Sequence, residues 1–366
     1  MKDFIFRNDT KLFFRNDIRK SVAEIAEGQK VMFVYGGGSV KRNGCHEDVT
    51  QALIEAGIPF VEYGASSREF ERIENGIRVA KANGVTMIIG AGGASVMDSA
   101  KLMAFGFYHE SDLWDYVKEK ASYGLERLPL ALIPTYPSSG SENGLGAVSV
   151  DSRTGDFGTA YGIPADYAIL CPEYSLTLDK EMTAYTGLVT LVQLSACVLG
   201  DRNKMSYDAG ISYIRNVLEA TKTLMHDPGD LDARGIVMLG ASLSTSSRLG
   251  IGKEENFAYD IYELEFLPEV LFGSTYRRSL TSVFPGFLRA MGKHHAEEIG
   301  KYFLDVFGFD SSIEESCRKL TDLFAGFGVE MFFDGEIGRE QVDAIPCRTE
   351  LSRAEIFDIV KSLTRQ

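Results

Sequence analysis

Residues 87–101 read MIIGAGGASVMDSAK, an apolar run that breaks into small residues and then resumes with helical spacing. The pattern predicts a buried strand, a tight loop and a helix, and consecutive small residues let the backbone come close to a ligand. Ser95 is the expected N-cap, and Asp98 three residues later completes a variant of the capping box. The N–H groups of the first helical turn would attract an anion such as a phosphate. The alternative is a tight turn without a ligand.

Two further apolar runs end in small-residue loops. A strand expected at residues 30–35 runs into Gly36–Gly38, and an apolar run at 128–134 leads into the loop at 135–143. Alternating strands and helices are typical of a parallel sheet covered on both faces, in which ligands bind beyond the carboxyl ends of the strands. The three loops are therefore expected to converge on one crevice. The other elements expected here are helices near 17–27, 46–56, 69–82 and 95–106 and a strand at 59–63.

The remaining parts of the chain carry different patterns. Residues 1–15 alternate apolar and polar side chains, which predicts an opening β-hairpin. Residues 146–178 read as short strands and turns, and from about 181 the apolar spacing becomes helical. We therefore expect an α/β domain over 1–180, with a parallel sheet, and an all-helical domain over 181–366.

The composition excludes several classes of partner. The 366 residues carry a net charge of −14, and the pI is near 5.0, so nucleic acid and anionic membrane surfaces would be repelled. The five cysteines are scattered without CxxC spacing, which argues against a disulfide framework or a structural zinc site. No apolar run approaches a membrane span, and early charges interrupt any signal-peptide pattern. A soluble, cytoplasmic protein is expected.

The glycine loops do not match the dinucleotide fingerprint G-x-G-x-x-G, because Lys41 and Ser95 stand where the third glycine belongs. Four segments instead resemble, in order, motifs of the iron-containing (group III) alcohol dehydrogenases, particularly the branch of NADPH-dependent butanol dehydrogenases. The likeness covers nearly the whole chain and is strongest in the first 180 residues. The four segments are YGGGSVKRNG at 35–44, GGASVMDSAK at 92–101, TYPSSGSE at 135–142 and PADYAILCP at 164–172.

The resemblance implies a dehydroquinate synthase-like fold, with an α/β domain that binds a nicotinamide dinucleotide, a helical domain and a substrate cleft between them. In the family the second loop holds the pyrophosphate, and the counterpart of Asp98 lies beside the cofactor. Thr135 and Ser139 match positions that line the adenine or nicotinamide side. The residues that the resemblance assigns to the pyrophosphate are Gly92, Gly93, Ala94 and Ser95.

In the family the first loop selects the cofactor. Members with an acidic residue there hydrogen-bond the ribose 2′-hydroxyl of NAD, whereas the stretch Gly36-Gly37-Gly38-Ser39, followed by Lys41 and Arg42, can receive a 2′-phosphate. By this resemblance NADP is expected rather than NAD. The alternative for the two cations is a solvated helix start.

The helical domain departs from the family where the metal binds. The family helix G-G-x-D-A-x-x-H-x-x-E aligns with residues 186–196, which puts Val189 at the aspartate ligand and Gln193 at a histidine ligand. Tyr276 stands at another ligand histidine, and the last falls within 263–266, which contain none. Valine cannot coordinate a metal and glutamine is a poor ligand beside imidazole, so no metal is expected. The alternative is weak binding of a hard cation by carboxylates at 260–265.

Without a metal, carbonyl reduction needs another group to stabilise the developing alkoxide and deliver a proton. We hypothesise that Tyr276 donates or orients this proton and that Arg277 holds an anionic group of the substrate. Tyr262 and Arg278 are further candidates, because a neighbouring cation lowers the pKa of a tyrosine. The alternative is that Tyr276 fills the space that a metal vacated.

The sequence thus predicts an NADP-dependent oxidoreductase, of the alcohol dehydrogenase or aldehyde and ketone reductase type, that works without the family's metal. Its expected partner is a small carbonyl or alcohol substrate, and a homodimer is common in the family. Two alternatives stay open: a nucleotide-binding pseudoenzyme and a non-redox enzyme on the same fold.

Overall fold

The structure is a computed structural model that describes residues 3–14, 17–119, 122, 124–200, 203–246, 248–252 and 257–365. The chain divides into two compact units. The sheet unit comprises Arg7–Thr177 and Ala241–Ser246, and the helical unit comprises the described parts of 1–6, 178–240 and 247–366. A domain boundary at 180 stays a prediction, since a compact unit is not yet shown to fold alone.

The sheet unit contains a six-stranded parallel sheet in the order β1-β8-β5-β4-β2-β3 and a separate antiparallel pair, β6 and β7. Its strands are β1 (Lys11–Phe14), β2 (Val31–Tyr35), β3 (Phe60–Tyr63), β4 (Met87–Gly92), β5 (Leu130–Pro134), β6 (Gly146–Val150), β7 (Phe157–Tyr161) and β8 (Tyr167–Leu170). Every residue of β2, β4 and β5 is buried. These strands read as continuous apolar runs because both of their faces are covered.

Helices cover the two faces of this sheet. Successive side chains of a strand point to opposite faces, and those of β2 enter two different cores. Met32 packs with Ile73 and Leu102 in one core, whereas Phe33 packs with Val22 and Leu53 in the other. The helices of the sheet unit are α1 (Arg19–Ile25), α2 (Ser39–Arg42), α3 (Cys45–Glu55), α4 (Phe70–Ala82), α5 (Ala94–His109) and α6 (Leu113–Lys118).

The predicted opening hairpin is wrong. Within the described residues 3–14, only Lys11–Phe14 form a strand, and this strand pairs in parallel with β8, with Leu12 opposite Ala168. The apolar alternation identified a strand but could not identify its partner, which lies more than 150 residues further along the chain.

The helical unit is built around α7, whose residues from Thr183 to Val198 are all buried. Asp179 caps this helix by accepting a hydrogen bond of 2.7 Å from the backbone N–H of Met182. The remaining helices are α7 (Lys180–Val198), α8 (Lys204–His226), α9 (Leu231–Ser244), α10 (Ile261–Phe272), α11 (Tyr276–Met291), α12 (Ala296–Phe307), α13 (Ile313–Gly326), α14 (Arg339–Asp343) and α15 (Arg353–Ser362). The last four residues of α9 belong to the sheet unit. The predicted fold class, a parallel α/β part followed by a helical part, is confirmed.

None of the helices formed by the described residues combines the length and the low charge that a membrane-spanning segment requires.

Candidate functional site

The register of the sheet brings the three predicted loops to one edge. Tyr35, the last residue of β2, lies opposite Ala91 of β4, and Gly92 lies opposite Pro134 at the end of β5. The loops that follow these three strands are therefore neighbours, as the alternation of elements predicts.

The second loop is a close-packed turn into helix α5. A Cβ atom on Gly93 would lie 2.5 Å from the hydroxyl of Tyr136, and one on Gly92 would lie 2.8 Å from Val96. Only glycine fits at these two positions without a shift of the neighbours. The first helical hydrogen bond runs from the N–H of Val96 to the carbonyl of Gly93 at 3.0 Å. The N–H groups of Ala94 and Ser95 precede this bond and belong to the helix end that carries partial positive charge.

The predicted N-cap at Ser95 is wrong. Helix α5 begins at Ala94, and Gly93 is the N-cap residue without any side-chain hydrogen bond. Ser95 lies exposed in the first turn. Both glycine and serine occur at the N-cap position of helices. The close packing around residue 93 requires a glycine there.

Asp98 is buried, and it does not complete a capping box. Its Oδ2 accepts a hydrogen bond of 3.0 Å from Nε of Arg68 and forms an ion pair of 2.9 Å with Nη2 of the same arginine. Its Oδ1 accepts a hydrogen bond of 2.7 Å from the hydroxyl of Ser141. Asp98 thus links the second loop, the third loop and the segment that contains Arg68.

Lys101 and Glu142 lie in the interior close to this network. Nζ of Lys101 donates hydrogen bonds to the carbonyls of Gly144 (2.8 Å) and Gly146 (3.0 Å). Burial lowers the pKa of Lys101 to about 8, against the opposing charges of Asp98 and Glu142. Burial also raises the pKa of Glu142. Asp98, Lys101 and Glu142 therefore form a buried cluster that supports the second and third loops.

The third loop contains the predicted residues Thr135 and Ser139. The N–H of Thr135 donates a hydrogen bond of 3.0 Å to the carbonyl of Gly92, which joins the third loop to the second. The side chain of Thr135 is buried. The hydroxyl oxygen of Ser139 is buried without a hydrogen-bond partner, which is the state expected of a donor that awaits a ligand.

The first loop is exposed. Gly37, Gly38 and Ser39 lie at the surface, and a Cβ atom on Gly37 would meet open space. Nζ of Lys41 lies 5.5 Å from the centre of the Tyr35 ring, a distance at which a cation is attracted to the aromatic face. Lys41 therefore stands beside the end of β2.

Sequence reasoning missed the segment between β3 and α4. The N–H of Ala65 donates to the carbonyl of Gly36 at 3.2 Å, and that of Ser66 donates to the carbonyl of Tyr35 at 2.9 Å. The Ser66 hydroxyl lies 2.6 Å from that of Ser99 in α5. Ala65 has a φ of 54°, a left-handed conformation that is strained for a residue with a Cβ. The small residues at 64–67 after a predicted strand were the available signal.

These features of the sheet unit fit a dinucleotide. A glycine turn at the start of a long helix, an exposed glycine loop beside a lysine, and the unsatisfied hydroxyl of Ser139 offer N–H, cationic and hydroxyl donors along one sheet edge. Phosphates and ribose hydroxyls are the groups that such donors bind.

The helical unit brings together two of the predicted metal-position residues. Nε2 of Gln193, on α7, donates a hydrogen bond of 3.2 Å to the hydroxyl of Tyr276, the first residue of α11. Gln193 is buried and Tyr276 is half-buried. Val189 is buried in the apolar core of this unit. An amide and a phenol therefore meet where the family alignment expects a metal.

The neighbouring cations and phenols differ in their surroundings. The guanidinium of Arg277 lies 5.8 Å from the ring of Tyr185, and its Nε is buried without a hydrogen-bond partner. Nε of Arg278 also lacks a hydrogen-bond partner, but its Nη2 donates to the carbonyl of Phe332 at 2.6 Å and pairs with Glu330 at 2.8 Å. Burial raises the pKa of Tyr262 well above its ordinary value. A lowered tyrosine pKa is therefore wrong for Tyr262.

The side chains at the family's metal positions do not fit a metal. Val189 has no donor atom, and the Gln193 amide nitrogen is engaged as a hydrogen-bond donor. The described residues contain no cluster of three or more histidine, cysteine, aspartate or glutamate side chains with the geometry of a metal site. Imidazole and carboxylate ligands would be needed for a first-row metal.

Comparisons with known proteins relate the chain to one family of dehydrogenases. A sequence model described as iron-containing alcohol dehydrogenase matches residues 9–173. NADH-dependent butanol dehydrogenase A of Clostridium acetobutylicum is 27% identical over 348 residues, which cover 90% of this chain and 88% of that protein. The NADPH-dependent aldehyde reductase YqhD of Escherichia coli is 26% identical over 298 residues, or 78% of this chain and 75% of that one.

A solved structure extends the likeness to the whole fold. The crystal structure of NADH-dependent butanol dehydrogenase A from Thermotoga maritima matches with a TM-score of 0.89 at 24% identity, over 100% of this chain and 99% of that one. The parallel sheet with glycine loops at its carboxyl edge and the helical part that follows it form the same α/β-plus-helical fold as that structure. Over residues 9–173 the chain is thus similar to the iron-containing alcohol dehydrogenases, and its fold is similar to that of a butanol dehydrogenase, which supports an oxidoreductase.

Proposed function

We propose that the protein is an NADP-dependent alcohol dehydrogenase or carbonyl reductase that acts without a metal. The observation that carries the proposal is the pair formed by Gln193 and Tyr276, a hydrogen-bonded amide and phenol at two positions where the family alignment expects metal ligands. Similarity to the iron-containing alcohol dehydrogenases supports the redox chemistry, and the glycine loops of the sheet unit support the binding of a nicotinamide dinucleotide.

The cofactor is held by the sheet unit in this proposal. The turn at Gly92 and Gly93 and the first turn of α5 bind the pyrophosphate through backbone N–H groups. Ser39 and Lys41 bind the 2′-phosphate of NADP, because the first loop itself carries no acidic side chain. Relatives named for NADH and for NADPH both occur, so the preference rests on these residues. A bound nicotinamide supplies the hydride for carbonyl reduction.

The proton is supplied by Tyr276 in this proposal. The Gln193 amide donates to the phenolic oxygen, which fixes the position of the hydroxyl and occupies one lone pair. The O–H of Tyr276 can then donate to a carbonyl oxygen as negative charge develops on it. Arg277, whose Nε is buried without a partner, holds an anionic group of the substrate.

Replacement of Tyr276 by phenylalanine tests the proposal. Loss of the general acid should lower the turnover of small aldehydes and ketones by about 10²- to 10⁴-fold. The NADPH dissociation constant, measured by calorimetry, should stay within about twofold, since no charge or hydrogen bond of the sheet unit changes. Tyr213→Phe is the control, because Tyr213 lies on an exposed part of α8.

Other results would contradict the proposal in separate ways. Unaltered turnover in Tyr276→Phe would exclude Tyr276 as the acid. Tight NADPH binding without turnover of any carbonyl substrate by the wild-type protein would favour a nucleotide-binding role instead.

A further inference from the structure

An acidic residue from a neighbouring strand contacts Tyr35, the residue that precedes the first glycine loop. Strand β3 pairs with β2 in parallel, and Glu62 of β3 lies opposite Phe33, two residues before the end of β2. The sequence of the loop contains no acid. The sheet register supplies one that inspection of the loop alone cannot reveal.

Three side chains surround the Glu62 carboxylate. Its Oε2 accepts a hydrogen bond of 2.8 Å from the hydroxyl of Tyr35 and lies 2.8 Å from Nε2 of His46. The rings of Tyr35 and His46 meet edge to face at 4.8 Å, and Lys41 lies against the same tyrosine ring. Tyr35 thus forms a platform that carries both a cation and an anion at the end of β2.

The position of this platform is fixed by the backbone. A Cβ atom on Gly64 would lie 2.9 Å from the Tyr35 ring, so a glycine is needed for the ring to lie there. The hydrogen bond from Ala65 to Gly36 joins the segment after Glu62 to the glycine loop. The carboxylate is therefore a fixed part of the loop's surroundings.

Glu62 carries a negative charge in this environment. Burial alone would raise its pKa, but the hydrogen bonds from His46 and Tyr35 and the charge of Lys41 outweigh burial and lower it. Burial and the bond to Glu62 raise the pKa of Tyr35 to about 12, so the tyrosine stays a hydrogen-bond donor. The side chain of Glu62 is 40% exposed, which leaves it accessible to a ligand.

We propose that Glu62 is a specificity-determining residue that limits the selection of NADPH over NADH. The inference rests on the proposed function, in which Ser39 and Lys41 receive the 2′-phosphate. A carboxylate beside that site repels a 2′-phosphate, whereas it can accept a hydrogen bond from the 2′-hydroxyl of NADH. Both contacts described above use Oε2, so Oε1 is the oxygen that would accept the ribose hydroxyl.

Calorimetric titration with NADPH and with NADH tests this inference. Glu62→Gln keeps the shape and an acceptor oxygen but removes the charge, and Glu62→Met removes the acceptor as well. In both variants the ratio of the NADH to the NADPH dissociation constant should rise about three- to tenfold over wild type, the size expected for one partly solvated charge a few ångströms from a phosphate. In Glu62→Met the NADH affinity should also fall.

Glu47→Gln is the matched control. Glu47 adjoins His46 on α3 and lies exposed, so its replacement changes the net charge equally near the loop and should leave the ratio within twofold. A ratio unchanged in both Glu62 variants, with thermal melts like that of wild type, would overturn the inference and leave the proposed function standing. Failure of the wild-type protein to bind either dinucleotide would overturn both.

Discussion

Lys101 is a buried cation in the middle of a motif that sequence comparison ties to the cofactor. Its ammonium donates to two backbone carbonyls of the 144–146 segment and makes no described contact with the glycine loops themselves. A long basic side chain inside a protein is retained only when its donors are satisfied. We therefore assign Lys101 to the support of the third loop rather than to the cofactor.

The lowered pKa of Lys101 predicts a dependence of stability on pH. The folded-state pKa is about 8 and the ordinary value is 10.5, so between these pH values the unfolded chain binds more protons than the folded one. The free energy of unfolding of wild type, relative to Lys101→Met, should then rise with pH from about 8 to 10.5 by up to about 3 kcal/mol. Below pH 8 the difference in unfolding free energy between the two proteins should not change with pH.

Urea unfolding of both proteins across this range is the measurement. Lys222→Met is the control, because it removes a lysine whose side chain is partly exposed on α8 rather than buried in the interior. A flat difference for Lys101→Met would show that Lys101 titrates normally in the folded protein.

At the residue scale, the sequence predicted the glycines of the site but not the partners of its charges. Gly92 and Gly93 were identifiable because close packing of a turn demands a specific residue type. Arg68 and Glu62 were not, because their contacts, with Asp98 and Tyr35, join elements that are distant in the sequence, and local spacing does not show such contacts. For the same reason Asp98 was read as part of a cap, while its actual partners lie 30 and 43 residues away.

At the scale of elements, the third loop is held against the last residues of α9. The hydroxyl of Thr245 donates to the carbonyl of Gly140 at 2.6 Å, and Asn143 donates to the carbonyl of Ser242 at 3.2 Å. Gly140 has a φ of 65°, and a Cβ there would lie 2.2 Å from the carbonyl oxygen of Ala241. This glycine is required both by its conformation and by its neighbours.

Alanine substitution separates these two requirements. Gly140→Ala should destabilise the protein by about 3 kcal/mol or more, because it combines left-handed strain with a clash against backbone. Gly57→Ala is the control, since Gly57 has the same φ of 65° but open space around it, and should cost about 1–2 kcal/mol for strain alone.

Chemical denaturation of the two variants gives the comparison. Equal losses of unfolding free energy would mean that the loop moves away from α9 without cost, which would contradict the close packing of Gly140 against Ala241.

The prediction of elements succeeded where apolar runs were long. Strands β2, β4 and β5 are buried on both faces and were read directly, as was helix α5, although it continues to His109 rather than ending near 106. Strand β1 was recognised but given the wrong partner, because a parallel neighbour can come from any part of the chain. For the helical part, the sequence predicted only that the residues form helices. Helical spacing does not show which helices pack together.

At the scale of the whole molecule, the residues proposed to bind the cofactor and those proposed to act on the substrate belong to different compact units. The residues proposed for the cofactor lie in the sheet unit, and Gln193, Tyr276 and Arg277 lie in the helical unit. The sheet unit keeps the motifs of the family, whereas the helical unit carries valine, glutamine and tyrosine where the alignment expects metal ligands. This contrast supports the proposal that the protein carries out redox chemistry without a metal.

The most direct test is the rate of carbonyl-dependent NADPH oxidation, measured on protein whose iron and zinc contents have been determined by elemental analysis. Turnover is expected not to depend on metal content, to withstand a chelator and not to increase when iron or zinc is added, since the side chains at 189, 193 and 276 offer no ligand set for either ion. Turnover that follows a stoichiometric metal, disappears with the chelator and returns with the added ion would contradict the proposal.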